Sequence, residues 1–218
     1  LPAFAEEFII MTNLNYIERI PVLLPEKKIL ARLKYNIHKT EMDEETRSRI
    51  LGIMNRGFAA CEPQGVWLRV QIEQIGDETV LLEGGHSIKS GSVADLLRGS
   101  RAAALMGVTV GPAIVELALQ AVNSGDGASA LVYDAVGSET AEAAIDWLNM
   151  YIAQQIKRRG ENLTRMRFSA GYGDFMLENQ GLFFELLGLE KLGVSITDRY
   201  IFIPEKTVTA IAGVESGG

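Results

Sequence analysis

The run Arg167-Phe168-Ser169-Ala170-Gly171-Tyr172-Gly173-Asp174 places an arginine four residues before a Gly-Tyr-Gly turn. A guanidinium is a planar fork of donors that matches a carboxylate or a phosphate. Glycine accepts positive φ and has no Cβ, so the main chain around Gly171 can lie directly against a ligand. Those eight residues also describe a tight surface turn beside a salt-bridging arginine, and taken alone they do not choose between the two. Glu142 and Asp146 lie one helical turn apart. Like charges at that spacing cost about 0.2–0.5 kcal/mol in an isolated helix, a cost that a nearby cation offsets. Their plain alternative is a solvated acidic face. Asp174 follows the turn and is expected to cap a helix running from Leu177 to Leu187. Thr207 and Thr209 can reach toward a ligand from the last strand, although alternating threonines are ordinary strand residues. His38 and His86 are far apart and lack metal-ligand neighbours in sequence. No His-Glu-x-x-His, nucleophile elbow or P-loop occurs, and Gly84-Gly85 lacks the spacing of a dinucleotide fingerprint.

The elements that must position these residues can be read from periodicity. An extended start around Ile20–Pro25 precedes two helical segments. The second begins near Asp43, with Glu44 and Glu45 in its first turn and Ile50, Leu51, Met54 and Phe58 on one face. Val66, Leu68, Val70 and Ile72 alternate with Trp67, Arg69, Gln71 and Glu73, which predicts a half-buried strand. Gly76-Asp77 turns that strand into a partner over Thr79–Glu83. Ser92-x-x-Asp95 resembles a capping box opening a helix through Leu96, Leu97 and Ala104. Gly107–Gly111 is a short apolar strand or turn, with Pro112 placed as a first helical residue. A long helix ends at Arg159-Gly160 and buries Ala141, Ala144, Ile145, Leu148, Ile152 and Ile156. Residues Ala128–Val136 read either as its first part or as a separate strand. Lys157, Arg158 and Arg159 complement the dipole at its C-terminus.

The chain has 218 residues, 21 Lys and Arg against 28 Asp and Glu, and a net charge of −7. That length buries a core within one domain. The charge argues against a nucleic-acid partner, which needs clustered cations. Cys61 is the single cysteine, so an internal disulfide is ruled out and a reducing cytoplasm is the expected compartment. No apolar run approaches the roughly 20 residues that span a bilayer, so no membrane partner is expected. The opening residues lack the basic start of a signal peptide, and Met11 is a candidate functional start. The expected boundaries are an N-terminal extension over 1–24 (with 1–10 a leader or tag remnant), a domain over 25–214, and a flexible tail over 215–218.

Beyond the Arg-x-x-x-Gly-Tyr turn the sequence continues through Leu182-Phe183-Phe184-Glu185, Leu192-Gly193-Val194-Ser195-Ile196-Thr197 and Ile203-Pro204-Glu205-Lys206-Thr207. Upstream stand Thr109-Val110-Gly111, Leu131-Val132-Tyr133-Asp134-Ala135-Val136-Gly137-Ser138 and Ala141-Glu142-Ala143. In this order and spacing the chain resembles the activation domain of cobalamin-dependent methionine synthase, in its small free-standing form. The likeness covers most of the chain, weakly before about Gly65 and strongly after Arg165.

The resemblance implies an α+β fold, a single helmet-like domain with a bent antiparallel sheet flanked by helices, and it favours helix for Ala128–Val136. It implies S-adenosylmethionine as cofactor, held by Glu142, Arg167, Ser169, Gly171 and Tyr172, with Arg167 on the ligand carboxylate. Tyr172 either contacts the ligand or only packs the turn. It further implies a cobalamin-binding methionine synthase or corrinoid protein as partner and a flavodoxin-type electron donor. Neither histidine stands in the Asp-x-His-x-x-Gly pattern that ligates cobalt, so cobalamin is expected on the partner. Ala170, Phe175 and Met176 depart from the proline, tryptophan and proline common in the family. Its N-terminal ligand-binding aspartate and C-terminal aromatic contact lack counterparts here. These departures leave open a second reading, a non-catalytic docking or regulatory subunit with a degraded ligand pocket.

Overall fold

A computed structural model of the chain describes residues 14–35 and 43–217. The expectations placed on residues 1–13, Met11 among them, and on His38 lie outside the described residues. In chain order the elements are β1 (Asn15–Ile17), α1 (Glu26–Arg32), α2 (Glu44–Ala59), β2 (Gln64–Ile75), β3 (Thr79–Leu82), β4 (His86–Lys89) and α3 (Gly91–Leu97). There follow β5 (Ala102–Thr109), α4 (Ala113–Asn123), α5 (Gly127–Lys157), β6 (Glu161–Leu163), α6 (Asn179–Leu187), β7 (Ser195–Ile196), β8 (Phe202–Ile203) and β9 (Thr207–Ser216).

Seven strands form one antiparallel sheet in the order β4-β3-β2-β5-β9-β6, with β1 also paired to β2. Strand β2 organises the bend. Its first half pairs with β1 at Gly65–Trp67 and its last residues pair with β3, with a register shift between Ile72 and Gln74. A bulge of this kind bends and twists the strand that carries it. The fold is therefore a mixed helix–strand domain built on a curled antiparallel sheet flanked by helices.

Both faces of the sheet are covered. On one side Val66, Leu68, Val70, Leu105 and Ile211 pack with Phe175, Phe183 and Leu187. On the other, Trp67, Met106 and the alanines Ala102, Ala104, Ala210 and Ala212 pack beneath Ala144, Ile145, Leu148, Ile152 and Ile156 of α5. Alanines on β5 and β9 let that helix lie close to the sheet. Trp67 is consequently buried, against the expectation that its face of β2 meets solvent. A third cluster gathers Ile29, Met54 and Ile114 from α1, α2 and α4 around Val132, Tyr133 and Val136 of α5. Residues Ala128–Val136 thus belong to the long helix.

Four further expectations are corrected. The capping box at Ser92 is displaced: Ser90 is the N-cap of α3, its hydroxyl accepting the Val93 amide at 3.1 Å. Asp95 instead accepts from Arg98. Ala104 lies in β5, because Gly99 at φ +94° turns the chain out of α3 before it can continue as helix. The described part of segment 1–24 supplies β1 at Asn15–Ile17 to the sheet and the buried Ile20 to the core. Glu215 and Ser216, placed in a flexible tail, pair with Asn162 and Glu161, because β6 offers β9 an edge.

Candidate functional site

Beyond β6 the chain stays beside β9. The Thr164 amide donates to the Gly213 carbonyl at 2.8 Å, and Phe168 exchanges two backbone bonds with Ile211, at 2.9 and 2.8 Å. Neighbours along an extended segment point to opposite faces. Phe168 packs into the core cluster on the α6 side, which turns Arg167 toward α5. There Arg167 Nη2 donates to Asp146 Oδ1 at 2.8 Å and lies 3.9 Å from Glu142 Oε2. The second oxygen of Asp146 accepts from Lys28 Nζ on α1 at 3.3 Å.

Arg167 and Glu142, joined in sequence only through the resemblance, are thus brought together. The two carboxylates on α5 are not a bare solvated face: two cations from distant segments neutralise them. Arg167 is one-quarter exposed, with Glu142 and Asp146 close to half exposed. The arginine is therefore already engaged internally, through Nη2 alone among the described residues.

The turn next to it needs its glycines. Gly171 has φ +96° and Gly173 φ +58°. A Cβ on Gly171 would also stand 3.3 Å from Leu177 Cδ1. The Gly171 amide donates to the Phe175 carbonyl at 2.7 Å, and the Phe175 amide donates to the Tyr172 carbonyl at 3.0 Å. Ala170 and Phe175, two of the departures from the family pattern, are both buried, and the Phe175 ring meets Phe183 with centroids 6.1 Å apart. Packing at these positions anchors the loop in place of the missing proline. Tyr172 is 70% exposed, so it does not pack the turn. Ser169 is half-buried between the arginine and the turn.

Asp174 does not cap the following helix. Helix α6 begins later, at Asn179, and its N-cap position makes no side-chain bond. Asp174 instead reaches back to α3, accepting from Ser90 Oγ at 3.0 Å and from the Ser92 amide at 3.1 Å. Bonds from Ser92, then from Ser90 and the Gly91 amide, hold its carboxyl down at about 2. A carboxylate at a helix N-terminus also meets the positive end of the dipole. The glycine turn is stapled to α3 by this contact.

Thr207 and Thr209 do not join the site. Both share the Ile211 side of β9, facing away from α5. The Thr207 hydroxyl donates to the Pro204 carbonyl at 2.8 Å, and Thr209 is buried. Burial pushes the Cys61 thiol up to about 11, which leaves it protonated and unsuited to nucleophilic chemistry at neutral pH. An open cavity of about 750 Å³ is lined by Ile20, Phe58, Cys61 and Glu62, and neither Arg167, Glu142 nor the glycine turn lines it. No described helix is long and apolar enough to cross a membrane.

Sequence reasoning missed Lys28 and the Asp174–Ser90 staple. The only trace of the first was a basic face on α1, where Lys28 and Arg32 match Asp146 and Glu139 of α5.

Comparison with protein-family models gives no match, and comparison with curated protein sequences gives none. Among solved structures the chain is similar to a crystal structure of the MetH reactivation domain bound to AdoHcy. The TM-score is 0.66, with 92% of this chain and 78% of that one covered at 12% identity. At that identity the likeness establishes the fold.

Proposed function

We propose that this chain binds S-adenosylmethionine and supports reductive methylation of cobalamin carried by a separate methionine synthase or corrinoid protein. One observation carries the reading. Arg167, four residues ahead of the positive-φ Gly171, converges with Glu142, in a fold shared with a reactivation domain solved with AdoHcy, the demethylated form of that ligand. The ligand head group carries a carboxylate and an ammonium, and the site offers a guanidinium and a carboxylate to meet them. Ser169, Gly171 and the exposed Tyr172 follow the arginine in the chain, and their backbone groups would take the rest of the molecule.

Arg167 and Glu142 would hold the methyl donor by its head group while a partner's cobalamin, once reduced by one electron from a flavodoxin-type donor, would serve as methyl acceptor and S-adenosylhomocysteine would be released. This chain contributes orientation: holding reactants in line removes several kcal/mol from a bimolecular barrier. It is in that sense an accessory of a methyltransferase, working in the cytoplasm, and not a complete enzyme.

Calorimetric titration with S-adenosylmethionine tests the reading. Charge-assisted hydrogen bonds contribute about 1.5–3 kcal/mol. Arg167→Ala is therefore expected to weaken binding by roughly 10- to 100-fold. Absence of binding by the wild type, with and without a corrinoid partner, would overturn the proposal.

The engagement of Arg167 by Asp146 favours a second reading, a docking or regulatory subunit whose ligand site has closed on itself. Capture of a corrinoid protein with equal affinity in the presence and absence of S-adenosylmethionine selects it.

A further inference from the structure

We infer that Asp146 is a positioning residue for Arg167, that Lys28 completes the device, and that the resulting site selects a zwitterionic amino-acid head group. The inference rests on the ligand site proposed above.

Two acidic residues one turn apart on α5 are not equivalent. Asp146 Oδ1 is 2.8 Å from Arg167 Nη2, a full charge-assisted bond. Glu142 Oε2, at 3.9 Å from the same nitrogen, is outside hydrogen-bonding range. Asp146 is committed to the arginine, whereas Glu142 keeps its acceptors for something else. The second Asp146 oxygen is held at 3.3 Å by Lys28, from a separate helix. That helix is fixed along α5 by a further bond, Arg32 Nε to Glu139 Oε1 at 2.6 Å. A carboxylate held from two sides has a set orientation, and it passes that orientation to the guanidinium.

Orientation matters because an arginine at a sheet edge has many rotamers, and ordering it at the moment of binding costs affinity. With Nη2 engaged, Nη1 and Nε remain as donors for a ligand. Lys28 and Arg167 balance Glu142 and Asp146, so the network is neutral. A zwitterionic head group adds one charge of each sign, with its carboxylate on Arg167 and its ammonium on Glu142, and both of those charges are paired. A phosphate or a dicarboxylate would leave Glu142 facing an anion, and like-charge juxtaposition is a strong rejecting element.

The experiment compares dissociation constants of S-adenosylmethionine, its decarboxylated analogue and its deaminated analogue for the wild type and variants. Asp146→Asn is expected to weaken S-adenosylmethionine roughly tenfold. The decarboxylated analogue should barely change, so preference for the carboxylate shrinks. Combined with Arg167→Ala, Asp146→Asn should add nothing further. Glu142→Gln should reduce the preference for the amino group instead. Lys28→Met, an exposed change that leaves folding intact, should shrink the carboxylate preference by about two- to threefold. Equal losses for all three ligands in Asp146→Asn and Lys28→Met would assign Asp146 a purely structural role and overturn the inference. An effect of Arg167→Ala with no effect of either variant would overturn it while the ligand reading stands. Failure of the wild type to bind any of the three overturns both.

Discussion

At Asp174 a single carboxylate joins the glycine turn to the start of a helix 82 to 84 residues upstream, and its chemistry gives a measurable pH dependence. Its folded value, about 2, lies below the ordinary 3.8. A carboxyl with a lowered folded value contributes its stability fully above the unfolded value and loses it as pH falls toward the folded one. The melting-temperature difference between wild type and Asp174→Asn should therefore be constant at neutral pH, shrink below about pH 4 and be lost as pH falls through about 2. A difference independent of pH down to 2 would contradict the assignment. Residue type alone made Gly171 legible as a position for the left-handed region, and it made Arg167 legible as an anion fork. The partners were not legible: Ser90 and Ser92 lie 84 and 82 positions from Asp174, and no local pattern encodes such a distance. Arg167 and Glu142 could be joined only through the family resemblance.

Among the elements, α5 decides most of what the site can be, since it carries Glu142 and Asp146 on one side and the sheet on the other. Its stripe at Ala144, Ile145, Leu148, Ile152 and Ile156 was legible because only one side of that half is covered by the sheet. Its first half was ambiguous because α1, α2 and α4 surround it, so apolar residues occur all round and no single stripe stands out. The reading of Ala104 as helical failed for a related reason. Alanine favours helix by propensity, but here Ala102 and Ala104 serve as a low floor under α5. Leu148→Ala, at a fully buried position, should cost about 2–5 kcal/mol through the cavity it leaves. Ala104→Leu should cost about 1–3 kcal/mol by lifting the helix. Urea unfolding measures both. A neutral Ala104→Leu would mean that α5 is not held close to the sheet.

At the scale of the whole molecule, helices occupy both faces of the sheet, so a ligand site needs an edge. The edge arises beyond β6, where residues 164–168 follow β9 while sending Phe168 to one face and Arg167 to the other. The curl of the sheet was expected from the resemblance and follows physically from the register shift in β2. Burial of both sheet faces was hidden, because alternation in a strand cannot reveal a helix supplied by residues far along the chain. The most direct test of the account is a crystal structure of this chain grown with saturating S-adenosylmethionine. The account predicts the ligand carboxylate within hydrogen-bonding distance of Arg167 and its ammonium on Glu142, with the main chain of 169–172 against the rest of the molecule. A ligand bound at any other surface, or a site beside Arg167 left empty at saturation, would contradict it.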